Sequence, residues 1–467
     1  MVTSAMDRMR ALFRKSDAEQ SYEPLENGSM EDDGLISSVS EVVHQDGEPF
    51  SWFEYSVFLL LGIAMLWAWN MFLAAAPYFQ SRFQDSDAIL SRFQSAILSV
   101  STITSLTSIL VLANMQSKAS YLKRIMHSLE LNVVVFGLLA LSAFTFRDIS
   151  PGIYLGFLLL MVFLTSVAAA LCQNGTFAFA ASFGRAEYIQ AIMTGQGIAG
   201  VLPAIAQIVT VLAFPEPNAW DGSDDDTDAL DSKKDGSTAA FIYFLTASII
   251  SVLTLLAVIP LIKRHNRLIE SRMMSSTTSI EEAERANRKV VGLWAMFKKL
   301  HWLAGAVFLC FTITMFFPVF TQKIVSVIPS EDAPRLFQPQ TFIPLGFLLW
   351  NIGDLSGRLL TIFPFSLSHK PIFLFVFSIA RVVFLPMYRL CNIENHGALI
   401  NSDAFYLIVV QLGFGLTNGW LGSSCMMTAP EWVEDGEREA AGAFMVLMLV
   451  AGLTSGSFLS FTVADVS

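Results

Sequence analysis

Residues 342–365 read FIPLGFLLWNIGDLSGRLLTIFPF. Asp354 and Arg358 interrupt a run that is otherwise almost wholly apolar. On a helix, a carboxylate and a guanidinium four residues apart share one face. In hydrocarbon such charges are expensive, so they face a cavity or each other. The stretch predicts a membrane helix carrying a polar site at mid-depth.

The composition of the chain agrees. Of 467 residues, 54% are hydrophobic and only 15% are charged, against roughly 25% charged in an average soluble domain. Mean hydropathy is +0.54. Apolar runs of about 20 residues, the length that spans a bilayer, recur at 56–79, 93–115, 128–146, 152–180, 187–214, 239–262, 302–322, 341–365, 371–388, 404–427 and 440–463. The reading is an all-α integral membrane protein of eleven transmembrane helices. The longest polar interruption within this region, 263–300, divides it into six helices (53–262) and five (301–467). Residues 1–52 are acidic and Ser-rich, and read as a disordered cytoplasmic tail.

Basic residues set the orientation. With the N-terminus in the cytoplasm, 19 Lys and Arg fall on that side, nine of them in 263–299, and 8 on the other. The net charge of −11 arises largely from the tail and a few loops, including Asp221–Asp228, which reads as a solvated loop. No basic patch interleaved with aromatics suggests nucleic acid. The four cysteines have no paired spacing and the six histidines do not cluster, so neither a disulfide framework nor a metal site is expected. No cofactor motif and no phosphate-binding loop is present.

Four further segments carry polar groups where apolar ones insert more easily. Trp69 and Asn70 lie well inside the first span; the indole offers a stacking surface, its alternative being an interfacial belt. Gln173 and Asn174 in the fourth span suit either a base edge or an interhelical hydrogen bond. In the fifth, Gly195, Gly197, Ala199 and Gly200 suit close helix packing, with Gln196 as ligand or link. Between the last two spans, Pro430, Val433, Glu437 and Glu439 form a turn, either solvated or latched by a salt bridge to a neighbouring loop. Arg381 lies alone within the ninth span, and no partner is visible in the sequence.

Together, Trp69-Asn70, Gln173-Asn174-Gly175, Gly195-Gln196-Gly197-x-Ala199-Gly200, Asn351-x-x-Asp354-x-x-Gly357-Arg358, and Pro430-x-x-Val433 followed by Glu437, Glu439 and Ala441-Gly442 resemble the equilibrative nucleoside transporter family. They occur in that family's order, over roughly residues 55–463. The resemblance implies pseudo-symmetric halves, a six-plus-five arrangement related to the major facilitator architecture, and a central cavity. It implies facilitated transport of nucleosides, and allows nucleobases. Carried over by residue, Asp354 and Arg358 would engage ribose hydroxyls, with Asn351 one turn earlier on the same face. Gln173 would bind the base edge and Trp69, beside Asn70, would flank the base. Phe317 and Phe347 would form a hydrophobic gate and cavity wall.

Other readings compete. A proton-coupled carrier of another small solute would show several intramembrane acids, and Asp354 is the one well inside a span. A membrane enzyme would cluster His, Asp or Glu at one depth, which this chain does not. A receptor or scaffold would work through the tail. That tail holds Glu31, Leu35 and Ile36 at acidic-dileucine spacing, read as a sorting-adaptor site that would address the protein to a vacuole or lysosome; without it, the plasma membrane is the expected location.

Overall fold

The computed structural model describes residues 50–84, 86–115, 120–145, 149–213, 226–272, 291–329, 333–363 and 370–464. Glu31, Leu35 and Ile36, and residues 221–225 of the expected acidic loop, lie outside these, whereas residues 226–228 of that loop open a helix. The described residues form eleven long helical elements: α1 (Trp52–Ala74), α2 (Phe93–Asn114), α3 (Tyr121–Thr145), α4 (Pro151–Ser182), α5 (Ala186–Ala213), α6 (Asp226–Arg272), α7 (Leu293–Thr314), α8 (Pro339–Leu360), α9 (Pro371–Ala380, continued to Tyr388), α10 (Phe405–Thr428) and α11 (Arg438–Ala464). No strand occurs among them beyond one isolated bridge, Ile324 to Ile393. Ten of these elements are long and apolar enough to cross a membrane. The eleventh, α8, has 22 residues, about 33 Å at 1.5 Å per residue; Asn351, Asp354 and Arg358 lower its hydropathy.

The observed bounds shift some expected ones. α6 continues to Arg272 and α7 begins at Leu293, so the expected 263–300 loop contributes residues to both helices. Proline sets several starts, because its missing N–H costs nothing in a first turn: Pro151, Pro339 and Pro371 open α4, α8 and α9. Two prolines break helices at matching places. Pro77 follows the end of α1 and opens the short helix Ala76–Phe83. Pro318 follows α7 and opens Phe317–Thr321. In each case the ring removes an i→i−4 hydrogen bond.

α1 and α7 correspond in a further respect. α1 packs on α5, and α7 packs on α11. Likewise α2 packs on α4, and α8 on α10. This repetition is the pseudo-symmetry of the two halves. Glycines bring the backbones together. A Cβ on Gly62 would lie 2.1 Å from the Ile192 carbonyl oxygen, and one on Gly195 2.1 Å from that of Leu59. Across α8 and α10, a Cβ on Gly357, Gly415 or Gly419 would meet backbone oxygens at 2.1 Å or closer.

Among the described residues there are three apolar cores. One draws on both halves, with Phe58 and Ile192 from the first and Val307, Leu421 and Val446 from the second. It lies at the near end of the bundle, where α1, α5, α7, α9 and α11 begin. The far end holds two separate cores. Phe79, Phe136 and Phe244 belong to the first half alone; Phe320, Phe342 and Phe414 belong to the second. The halves are therefore sealed together at the near end, while the far-end cores do not merge. All four cysteines are free and buried; outside the spans, burial and the nearby Asp403 push the Cys391 thiol up to about 12.

Gly62→Ala is expected to lower the melting midpoint in detergent, since overpacking of this kind costs about 2 kcal/mol. Gly137→Ala, whose Cβ would meet nothing within 4 Å, is expected to hold the midpoint or raise it through helix propensity, by up to about 1 kcal/mol. Equal midpoints for the two variants would contradict the close α1–α5 crossing.

Candidate functional site

Asp354 and Arg358 are 4% and 5% exposed, too little for open water to stabilise either charge. They satisfy one another first: Arg358 Nε donates to Asp354 Oδ2 at 2.7 Å. The remaining groups reach other helices. Arg358 Nη1 donates to the Met193 carbonyl at 2.6 Å and to Gln196 Oε1 at 3.1 Å, both on α5. Asn418 Nδ2 of α10 donates to Asp354 Oδ1 at 2.7 Å. The pair thus joins α8 to α10 within one half and to α5 in the other.

The approach to α5 depends on missing side chains. A Cβ on Gly197 would lie 3.1 Å from Arg358 Cδ, and one on Gly200 2.5 Å from Asn351 Oδ1. Of the small residues expected to serve packing, Gly195 faces α1 while Gly197 and Gly200 face α8 across the interface between halves. Asn351 is half-buried there, its amide nitrogen donating to Phe347 O at 2.9 Å.

One turn toward the far end on α8, Trp350 stacks on Phe317 at 4.0 Å with rings 4° from parallel. Phe347 meets Phe317 edge-on at 5.4 Å. Phe347, Trp350, Asp354 and Arg358 recur at helical spacing, so this aromatic group lies along the same stripe as the charges.

Asn70 has a partner within the protein. Its Nδ2 donates to the Ala199 carbonyl at 2.7 Å. Pro203 lies four residues later inside α5 and supplies no N–H, so the proline frees that carbonyl. The amide of Asn70 replaces the lost helical bond, as buried backbone in a membrane requires. Pro203, four residues beyond Ala199, was the signal in the sequence.

Gln173 and Asn174 diverge. Asn174 is fully buried and accepts from Nη1 of Arg124, whose Nη2 donates to the Met115 carbonyl at the end of α2. Gln173 is half-buried with no hydrogen-bond partner among the described residues. Trp69 is half-buried on α1, its ring parallel to Phe72 at 5.9 Å. Neither Trp69 nor Gln173 is joined by a hydrogen bond to the Asp354–Arg358 pair. Glu437 is buried and takes Lys299 Nζ at 2.6 Å, the latch offered as one reading of that turn.

Sequence reasoning missed Asn418 and left Arg381 without a role. Arg381 is 1% exposed and bonds Cys310 and Thr314 of α7 and Thr417 of α10. Asn418 resembles any other amide in the sequence. Only the helix crossing places it against Asp354.

Two pseudo-symmetric helical halves around buried charges, with proline-broken helices, give a membrane fold of the major facilitator kind. Among solved structures, the proton:xylose symporter XylE bound to 6-bromo-6-deoxy-D-glucose superposes with a TM-score of 0.58 at 12% identity, over 89% of this chain and 88% of that one. Residues 159–464 match the family described as nucleoside transporter. This chain belongs to the nucleoside transporter family. Nucleoside transporter FUN26 of Saccharomyces cerevisiae is 29% identical over 444 residues, covering 87% of this chain and 83% of its own. Equilibrative nucleoside transporter 1 of Homo sapiens is 27% identical over 461 residues, covering 87% and 95%.

Arg358→Lys is expected to reduce uptake at low substrate concentration by at least about tenfold. A lysine has one charged nitrogen, and the guanidinium uses two to bridge Asp354 and α5. Uptake equal to wild type, at matched protein in the membrane, would contradict this account of the pair.

Proposed function

We propose that this protein carries nucleosides across a membrane by alternating access, down the substrate gradient. The observation that carries the reading is the buried Asp354–Arg358 pair, whose guanidinium also holds the opposite half through Met193 and Gln196. Ribose presents vicinal hydroxyls, each a donor and an acceptor. A carboxylate accepts from them and a guanidinium donates to them. Sugar hydroxyls that compete for Arg358 weaken its hold on α5, which couples substrate binding to opening of the near end. The names of the relatives support the same substrate class.

Gln173 supplies an uncommitted amide for the base edge, and Trp69 a flat surface beside it. Asn351 lines the α8 face one turn from Asp354. Phe317 and Phe347, with Trp350, form the gate or cavity wall toward the far end. Asn70, whose Nδ2 is engaged by Ala199, presents its remaining amide oxygen beside Trp69 as a substrate contact. Asp354 accepts from both Arg358 and Asn418, and uncoupled facilitated diffusion is the preferred mechanism over proton symport.

Asp354→Ala is expected to abolish uridine and adenosine uptake in proteoliposomes while the protein still assembles. In the same assay Gln173→Ala is expected to alter competition among nucleosides with different bases more than it alters assembly. Full uptake by Asp354→Ala would sink the sugar site; an unchanged competition pattern in Gln173→Ala would remove that residue from it.

The tail orients toward the cytoplasm in this reading, and Glu31, Leu35 and Ile36 direct the protein to a vacuole or lysosome. There it releases nucleosides to the cytosol. Leu35→Ala with Ile36→Ala is expected to redistribute a fluorescent fusion to the cell surface, and an unmoved fusion would refute the address.

A further inference from the structure

Arg381 is a buried charge that the proposed transport cycle leaves unused. Among the described residues no carboxylate lies within ion-pair distance of it. Its donors go to neutral groups. Nη1 meets the Cys310 carbonyl at 2.9 Å and its sulfur at 2.8 Å. Nη2 meets Thr314 Oγ1 at 3.3 Å, Nε meets Thr417 Oγ1 at 3.2 Å, and the guanidinium lies 4.8 Å from the Phe414 ring centre.

Those neutral groups lead to Asp354. Thr314 Oγ1 and Cys310 Sγ stand 2.6 Å and 3.3 Å from Asn418 Oδ1, and Asn418 Nδ2 donates to Asp354 Oδ1 at 2.7 Å. The ends of this chain compel its direction, since a guanidinium only donates and a carboxylate only accepts. The Thr314 hydroxyl has one proton and two acceptors in reach, Asn418 Oδ1 and the Cys310 carbonyl at 2.8 Å. Arg381 occupies that carbonyl and the Thr314 oxygen, turning the proton toward Asn418. With its oxygen thus engaged, Asn418 presents its NH2 to Asp354; the reversed amide would set oxygen against carboxylate.

We propose that Arg381 is a positioning residue of the transport site. Acting through Thr314, Cys310 and Asn418, it orients the Asp354 carboxylate for ribose hydroxyls. It also keeps that carboxylate with α7, α9 and α10 when Arg358 releases α5. The inference rests on the reading of Asp354 as the sugar ligand. It predicts that a residue remote from the substrate governs recognition of the sugar more than of the base.

The test uses the full chain, purified and reconstituted, with affinities for uridine and 3′-deoxyuridine from thermal shift and from competition of uptake. Arg381→Met is expected to weaken uridine about tenfold and to bring the two ligands' affinities together, with KM changing more than the maximal rate. Arg381→Lys, which keeps the charge and loses the fork, is expected to restore part of the discrimination. Thr314→Val, a nearly isosteric change, is expected to shift it in the same direction by less. If Arg381→Met keeps the wild-type discrimination, or Thr314→Val keeps it where Arg381 variants fail to assemble, the proposal is overturned. Asp354→Asn separates the two levels. Wild-type discrimination in Asp354→Asn defeats the sugar site itself. Loss there, with retention in Arg381→Met and Thr314→Val, defeats only the role of Arg381.

Discussion

A carboxylate inside an apolar bundle must find every partner within the protein, and Asp354 imposes that demand on three helices. One oxygen takes Arg358 from its own helix and the other takes Asn418 from α10. Asn418 reaches it because α8 and α10 cross at backbone contact, with Gly415 and Gly419 on one side and Gly353 and Gly357 on the other. The guanidinium then needs acceptors of its own and finds them on α5, across Gly197. Removing one member of a buried pair leaves an uncompensated charge, at about 3–5 kcal/mol. The glycine stripes and the amide are thus consequences of placing one acid at that depth.

The same end of the bundle is closed by polar contacts outside the site. Glu54 is buried between α1, α5 and α6, taking Tyr188 Oη at 2.5 Å and Arg264 Nε at 3.2 Å. Glu437 takes Lys299 in the second half. Gly184, at φ +63, turns the α4–α5 connection directly under the Arg438 side chain; this is one of the few places where glycine is needed for its backbone. Alternating access requires this closed end and the far end to exchange roles. Two separate far-end cores leave each half able to move as a body while its own packing is kept.

How much of this was legible before the structure depended on the range of the interaction. Helix spans followed from runs of apolar residues, a local property, and α9 and α10 fell within a residue or so of the expected bounds. The Asp354–Arg358 pair was legible because both charges belong to one helix at a spacing of four. Arg381 was visible as an anomaly, but its partners Cys310, Thr314 and Thr417 lie on other helices. Asn70 was legible as an amide that needs a polar partner in hydrocarbon, but not that one such partner is backbone on α5. Sequence periodicity identifies which residue needs a partner, while the crossing of distant helices decides which partner it receives.

The bond between Asn70 and the Ala199 carbonyl couples two positions far apart in the sequence. A proline at 203 is tolerable only while some donor covers the carbonyl it orphans, and an amide at 70 is tolerable only while it has such an acceptor. The two positions are therefore one physical unit. Either residue changed by itself leaves a polar group in hydrocarbon without its partner, so a change at 70 is felt in the backbone of α5, in the other arm of the crossing.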